Sequence, residues 1–226
     1  ASVGYHNQLK ALETFTSLNS SAIVAKKKIK KPPWKYTIVK GPKMIFFIFM
    51  CAIFLSSSAS SSTPYVIKVD KSDSTLLVET NSGEKIKTFS VATGRGGKGD
   101  KKEIWDKKTP VGTYYVTGFN EKSKFDYFIR INYPNLKDAY YGYKSRKINR
   151  NEFKDIFNAV RDGKQPPQNT KLGGAIGIHG IGKETTKKLL IHRNIDWTEG
   201  CVALRNFEVK ELKPFVTLGT KVIISD

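Results

Sequence analysis

Short runs of alternating apolar and polar residues dominate the chain from Tyr65 onward. Successive side chains of a β-strand point to opposite faces of a sheet, so this alternation predicts half-buried strands. Turn-forming residues separate the first three runs, which predicts a meander of hairpins over residues 65–91. The pattern predicts eight strands, at residues 65–69, 75–80, 85–91, 112–118, 127–133, 175–179, 201–204 and 220–225.

A helical period occurs in one convincing segment, where apolar residues recur at i, i+3, i+4 and i+7: Phe153, Ile156, Phe157 and Val160. Asn151 is available as its N-cap and Gly163 lies at its exit. A second, shorter helix is predicted after Asn206. Residues 161–174 contain two prolines and three glycines, which predicts a loop. The expected fold is mainly β with one or two short helices.

An apolar run of twelve residues, 44–55, interrupts the polar N-terminal part of the chain. Lys40 and Lys43 precede it and a serine-rich stretch follows, whereas crossing a bilayer takes about 20 apolar residues. We interpret residues 44–60 as a signal peptide, with an uncleaved membrane anchor as the alternative. The domain would then act outside the cytoplasm, with at most a transient membrane association through residues 44–55. Residues 1–43 are a basic extension of uncertain role, and residues 61–226 form one domain.

The chain is strongly basic, with 39 Lys and Arg against 20 Asp and Glu and a net charge of +19. A basic surface attracts nucleic acid, anionic lipid and acidic cell-wall polymers alike. The lysines are scattered among acidic residues, without an arginine stripe or interleaved aromatic residues. We therefore expect no nucleic-acid partner.

The chain contains two cysteines, and Cys51 lies within the apolar run. Cys201 would then be a free thiol in an oxidising compartment, either as a small buried residue or as a reactive group. With His179 and His192 it lacks the close-paired spacings of structural zinc sites, so no metal is expected. The glycine-rich residues 94–99 match neither nucleotide-binding fingerprint, so no cofactor is expected either.

His179 ends one predicted strand and Cys201 begins another, and a glycine flanks each of them. An imidazole beside a thiol can take its proton, and an adjacent imidazolium lowers the thiol pKa so that thiolate is available at neutral pH. Gly200 would permit a tight turn whose backbone N–H groups, at residues 198–201, hold an oxyanion. Gly180 would let the carbonyl after His179 approach the ring and fix its tautomer.

These segments resemble the L,D-transpeptidase catalytic domain of the YkuD type. The family pattern is His-Gly, then Ser/Thr-x-Gly-Cys and an apolar residue, which here reads His179-Gly180 and Thr-Glu-Gly-Cys-Val at residues 198–202. Lys-Thr-Pro-Val-Gly-Thr-Tyr at residues 108–114 is similar to the family's Thr-Pro-x-Gly strand. Asn-Tyr-Pro-Asn at residues 132–135, with Asp138, gives further support.

The resemblance implies a YkuD-like β-sandwich or barrel-like catalytic domain that works without metal or cofactor on peptidoglycan stem peptides. Cys201 would attack the carbonyl between a diaminopimelate-type centre and the terminal D-Ala of a stem tetrapeptide, with His179 as base. An acceptor amine would then resolve the thioester. Gly180 and Gly200 complete the predicted catalytic set, and we expect a monomer.

Substrate binding is predicted for Thr198, Trp197, Tyr133 and Arg205. Packing is the alternative for Trp197 and Tyr133, and Thr198 is also expected to support the nucleophile turn. Many family members have Arg where this chain has Ala203, a departure that resembles a branch with hydrolases. A carboxypeptidase or amide hydrolase with the same site is therefore an alternative, and a catalytically silent wall-binding module is a third.

Overall fold

The computed structural model describes residues 63–226. The expectations for residues 1–60, a basic extension followed by a signal peptide or membrane anchor, concern a part of the chain outside the described residues. Cys51 also lies outside them. In residues 63–226, no helix has both the length and the apolar character needed to cross a bilayer.

All eight predicted strands form, and they join in one mixed sheet with the order β3-β2-β1-β8-β4-β5-β6-β7. The pairs β1–β8 and β6–β7 are parallel, and the other neighbours are antiparallel. The fold is mainly β, as predicted. The strands are β1 (Tyr65–Asp70), β2 (Thr75–Thr80), β3 (Lys85–Ser90), β4 (Gly112–Ser123), β5 (Asp126–Ile131), β6 (Gly177–His179), β7 (Val202–Ala203) and β8 (Lys221–Ser225).

The long strand β4 connects the two halves of the sheet. Its first residues, 112–115, pair with β8, and its later residues pair with β5 beyond an irregularity near Gly118. Apolar side chains from both halves bury each other in one cluster, from Ile67 and Leu76 in the first hairpin to Val202 at the other edge. A shared core of this kind is consistent with the expected sandwich or barrel-like domain.

Residues 63–226 contain four α-helices, α1 (Leu136–Lys144), α2 (Arg150–Arg161), α3 (Thr186–Asn194) and α4 (Asn206–Leu212), and a 3₁₀ turn follows at Lys213–Phe215. The sequence predicted α2 and α4 and missed the other two. Helix α1 buries only Asp138, Ala139 and Gly142, and α3 buries no residue completely, so neither carries an apolar stripe. The expectation of one or two helices was too low for this reason.

The N-cap of α2 is Asn149 rather than the predicted Asn151. Its side-chain oxygen accepts hydrogen bonds from the N–H groups of Asn151 (2.8 Å) and Glu152 (3.0 Å). The Glu152 carboxylate in turn accepts from the Asn149 N–H at 2.7 Å, which completes a capping box.

We expect Asn149→Ala to lower the free energy of unfolding by about 1 kcal/mol, because two helix N–H groups lose their acceptor. Denaturant titration followed by far-UV circular dichroism measures the change. Asn151→Ala is the matched control and should alter stability by less than about 0.5 kcal/mol. Equal losses in the two variants would contradict this assignment of the cap.

Candidate active site

His179 is the last residue of β6 and is 2% exposed. Its ring stacks on Phe125, with 4.2 Å between ring centroids, and lies near Phe128 at 5.8 Å. Nδ1 lies 2.6 Å from the Gly180 carbonyl oxygen. Because a carbonyl only accepts, Nδ1 carries the proton and Nε2 is the basic nitrogen. Burial lowers the pKa of His179 to about 4.

The chain just after His179 is held so closely that residue 180 has no room for a side chain. A Cβ on Gly180 would lie 2.6 Å from the Asn206 side-chain oxygen and 2.6 Å from the Phe125 carbonyl oxygen. The Asn206 side chain also binds both the N–H (3.0 Å) and the carbonyl (2.7 Å) of Gly182. These contacts fix the carbonyl that orients the imidazole, as the sequence predicted for Gly180.

Cys201 immediately precedes β7, the parallel neighbour of β6. In this pair His179 lies opposite Ala203 and Ile178 opposite Val202. Cys201 itself lies just outside the paired residues, at the level of Gly177 at the start of β6. The thiol is half-buried, and it donates to the Ala175 carbonyl oxygen at 3.4 Å.

Both groups are neutral at pH 7. Burial raises the pKa of Cys201 to about 11, and a hydrogen bond from the Gly177 N–H only partly opposes this. His179, with its pKa near 4, does not supply the imidazolium that would lower the thiol pKa. The site therefore differs from the expected one, in which thiolate is available at neutral pH, because desolvation disfavours both charged forms.

The rate at which iodoacetamide alkylates Cys201 should rise with pH toward about 11 and stay below that of an ordinary cysteine between pH 6 and 8. Peptide mass spectrometry after timed quenching separates Cys201 from Cys51. The unfolded protein is the control and should follow the course of a free thiol. A reactive plateau below pH 8 would instead indicate a thiolate stabilised by His179.

The turn before Cys201 is closed by the side chain of Thr198, which is buried. Its hydroxyl donates to the Cys201 carbonyl oxygen at 2.6 Å and accepts from the Gly200 N–H at 3.1 Å. Thr198 therefore supports the turn, and its hydroxyl is already engaged within the protein. These bonds account for the structural part of the prediction, and substrate binding by Thr198 stays a prediction.

Backbone N–H groups in this turn differ in their availability. The Thr198 N–H donates to the Thr93 carbonyl oxygen at 3.1 Å, and the Gly200 N–H is held by the Thr198 hydroxyl. The Cys201 N–H has no acceptor within the part of the chain that the structure describes. Of the N–H groups predicted to hold an oxyanion, those of Glu199 and Cys201 donate to no acceptor within residues 63–226 and remain available.

Gly200 has φ +133°, a conformation that residues with a side chain rarely adopt. An added Cβ would also lie 2.8 Å from the Lys108 carbonyl oxygen. The turn thus requires glycine both for its backbone angle and for its contact with the segment that precedes β4.

The other predicted substrate residues lie in three different environments. Tyr133 is 0% exposed and its hydroxyl donates to the Leu172 carbonyl oxygen at 2.8 Å, so it is a core residue that no substrate reaches. Trp197 is half-buried, with its ring edge-on to His179 at 6.1 Å between centroids. Its Nε1–H donates to His192 at 3.3 Å. Arg205 is exposed and its guanidinium lies over the Phe207 ring at 4.7 Å.

Several residues that shape the site were not predicted. The Thr109 hydroxyl accepts from the Gly94 N–H at 2.8 Å and donates to the Cys201 carbonyl oxygen at 3.4 Å. The Asp196 carboxylate accepts from the Thr93 N–H beside the turn. Thr109 lies in the Thr-Pro-x-Gly motif at residues 108–114, which was a usable signal, and Asp196 lies two residues before the motif at residues 198–202. Phe125 and Phe128 gave no signal, because their contact with His179 arises only when β5 pairs with β6.

Within residues 63–226, no group of three or more His, Cys, Asp and Glu residues is arranged to hold a metal ion.

Comparison with known proteins gives one family match. The model of the L,D-transpeptidase catalytic domain, YkuD, matches residues 64–224. No curated protein matches the chain.

Solved structures with similarity to the chain include Bd1075 of Bdellovibrio bacteriovorus, at 25% identity and a TM-score of 0.46, covering 73% of this chain and 48% of that one. The helical cell shape determining protein Pgp2 from Campylobacter jejuni is 23% identical, with a TM-score of 0.48 and coverage of 72% and 48%. An L,D-transpeptidase from Xylanimonas cellulosilytica is 15% identical, with a TM-score of 0.40 and coverage of 74% and 62%. The chain spans less than two thirds of each of these structures.

Proposed function

This chain belongs to the L,D-transpeptidase catalytic domain family, and from that membership we propose that it is a peptidoglycan L,D-transpeptidase with Cys201 as nucleophile and His179 as base. Its donor substrate is a stem tetrapeptide that ends in D-Ala. Because that substrate lies outside the cytoplasm, the domain acts there as well.

In the first half-reaction, the Cys201 sulfur attacks the carbonyl carbon that precedes the terminal D-Ala. Nε2 of His179 takes the thiol proton as the carbon–sulfur bond forms, and it returns this proton to the D-Ala nitrogen as the carbon–nitrogen bond breaks. The products are a thioester on Cys201 and free D-Ala.

In the second half-reaction, an acceptor amine attacks the thioester carbon. His179 removes a proton from that amine, and the sulfur leaves and is reprotonated from the imidazole. The new amide links donor to acceptor, and the site returns to its neutral resting state. Water in place of the amine would give a shortened stem instead, which is the hydrolase alternative.

The tautomer of His179 is the observation that carries this assignment. The Gly180 carbonyl accepts the Nδ1 proton at 2.6 Å, so Nε2 is the nitrogen that is free to accept. With a pKa near 4, the imidazole is unprotonated across the neutral range, so Nε2 has its lone pair available. The thiol lies beside the segment that leads into β6, the strand that ends at His179.

Stabilisation of the tetrahedral intermediate is assigned to the Cys201 N–H. A backbone N–H aimed at the developing oxyanion is effective because it is already oriented when charge appears. Two hydrogen bonds of the Thr198 hydroxyl, one with the Gly200 N–H and one with the Cys201 carbonyl, hold the backbone in the required shape.

The transferase and hydrolase alternatives differ only in the acceptor. Where many family members carry Arg, Ala203 is buried and exchanges both backbone hydrogen bonds with Ala92, at 3.0 and 2.8 Å. Arg205, two residues later, is exposed and lies over Phe207. The reaction products therefore have to show whether the acceptor is an amine or water.

The test incubates the full chain, beside its Cys201→Ala variant, with a muropeptide tetrapeptide ending in D-Ala and a second D-amino acid. Mass spectrometry should find Cys201-dependent exchange of the terminal D-Ala. Shortened stems without exchange would establish the hydrolase. No Cys201-dependent change would contradict both and favour the silent wall-binding module.

A further inference from the structure

The loop at residues 100–109 presents a large aromatic side chain to solvent. Trp105 is 78% exposed and its neighbour Ile104 is 42% exposed. A largely exposed indole is a candidate binding residue, since aromatic side chains contribute much of the energy of interfaces. The loop belongs to neither the sheet nor a helix, and the reaction outlined above does not use it.

Internal hydrogen bonds hold this loop in one shape. Trp105 and Lys107 have φ values of 73° and 57°, which are unusual for residues with side chains and persist only where surrounding contacts impose them. Those contacts converge on the Asp106 carboxylate, which accepts from Lys101 Nζ (2.7 Å), Lys102 N–H (2.7 Å), Glu103 N–H (3.1 Å) and Lys108 N–H (3.1 Å). The indole is therefore presented on a fixed support.

The same loop is hydrogen-bonded to two segments near Cys201. On one side the Ile104 N–H donates to the Lys171 carbonyl oxygen at 2.9 Å, shortly before Ala175, which accepts from the thiol. On the other side the Thr109 hydroxyl donates to the Cys201 carbonyl oxygen at 3.4 Å. Trp105 thus lies between two segments that both contact the proposed nucleophile.

The charges around Trp105 are unbalanced in favour of cations. Glu103 pairs with Lys147 at 2.5 Å, and Asp106 pairs with Lys101 at 2.7 Å. Lys102 and Lys107 form no ion pair with any residue in the 63–226 range. An anionic ligand is therefore attracted to the loop.

We propose that Trp105 stacks on a sugar ring of the glycan strand that carries the stem peptide. This inference rests on the proposed function. The C–H bonds of one face of a pyranose ring are apolar and slightly positive, so they match the negative face of the indole ring. Lys102 and Lys107 attract the carboxylates of neighbouring stem peptides.

Chain lengths agree with this arrangement. Three residues lie between Trp105 and Thr109, so the Cα atoms of the pair are at most about 14 Å apart. Three extended stem residues, which lie between the sugar and the bond to be broken, span about 10 Å. A stem peptide attached to a sugar on Trp105 is thus comparable in length to the distance from Trp105 to Thr109, whose hydroxyl contacts Cys201.

Binding is tested apart from turnover in the full-length Cys201→Ala protein. An N-acetylglucosamine tetrasaccharide should bind with a change in indole fluorescence, Trp105→Ala should weaken binding at least tenfold, and Trp105→Tyr should retain most of it. Leu218→Ala, which removes another exposed apolar side chain in the turn before β8, is the matched control and should have no effect. Unchanged affinity in Trp105→Ala, or equal affinity for an oligothymidylate of similar length, overturns the proposal.

The second part of the test measures steady-state kinetics in proteins that retain Cys201. Trp105→Ala should raise KM about tenfold for a disaccharide tetrapeptide and leave both kcat and the KM of the sugar-free tetrapeptide unchanged. Equal KM increases for both substrates overturn the sugar contact while the transpeptidase assignment stands. If the chain has no transpeptidase activity, the binding arm alone decides, and sugar affinity that depends on Trp105 supports the contact.

Discussion

Replacing His179 with glutamine lowers kcat/KM for the tetrapeptide by about 10²–10⁴-fold, the range that a positioned general base contributes. Glutamine is similar in size and polarity to histidine but cannot take the thiol proton. The thiol, whose pKa burial raises to about 11, then has no base to take its proton. Steady-state rates of D-amino acid exchange measure the effect.

The other described histidine supplies the control. His192 is half-buried and accepts a hydrogen bond from Trp197, so His192→Gln should change kcat/KM by less than about threefold, in the range of a modest packing change. In the native protein the rate should hold from pH 6 to pH 8 and fall as pH drops through about 4, because only unprotonated His179 accepts a proton. Comparable decreases of kcat/KM in the two variants would contradict the assignment of His179 as the base.

Replacing Gly200 with alanine lowers kcat/KM by about 10²-fold or more, a loss comparable to that of an oxyanion donor. The new Cβ would meet the Lys108 carbonyl oxygen at 2.8 Å in a backbone conformation unsuited to alanine. The turn must shift, and the Cys201 N–H shifts with it. The strain should also cost about 1–3 kcal/mol of stability, which thermal unfolding measures.

The variant Gly83→Ala is the control that distinguishes a loss of stability from a loss of activity. Gly83 also has a positive φ, +92°, but a Cβ there meets no atom within 4 Å, and it lies in the turn between β2 and β3. Gly83→Ala should cost about 1 kcal/mol from the backbone alone and leave kcat/KM unchanged. If both variants lost activity in proportion to stability, the turn at Gly200 would have no specific catalytic role.

The two neutral groups change the expected course of the reaction. A preformed thiolate would react with many electrophiles, whereas a neutral thiol gives up its proton only as a carbonyl carbon comes within bonding distance. Desolvation by Phe125 and Phe128 around His179 thus favours reaction with a bound substrate over reaction with small oxidants or alkylating agents.

Much of the sheet could be predicted because the alternation of apolar and polar residues along a strand determines which side chains are buried. Ile67 and Val69 in β1, and Leu76 and Val78 in β2, are buried on one face, and the residues between them are more exposed. Helices α1 and α3 could not be predicted in this way. Their formation depends on capping and tertiary contacts, such as the Asn135 cap of α1, rather than on an apolar stripe.

The site was predictable only as far as its local motifs. Short sequence segments were enough to predict that His179 and Cys201 each lie next to a glycine and that a tight turn forms at Gly200. The core position of Tyr133 and the protonation states could not be read from them, because both depend on desolvation by residues distant in the chain. Phe125, for example, contacts His179 across 54 positions of sequence.

A search for the covalent intermediate tests Cys201 as the nucleophile. The full chain is mixed with the tetrapeptide, quenched in acid within seconds and digested, and the peptide that contains Cys201 is characterised by mass spectrometry. We expect an acid-stable thioester that carries the first three stem residues on Cys201 and disappears when an acceptor amine is added. Exchange of D-Ala without any adduct on Cys201, or with the acyl group on another residue, would contradict it.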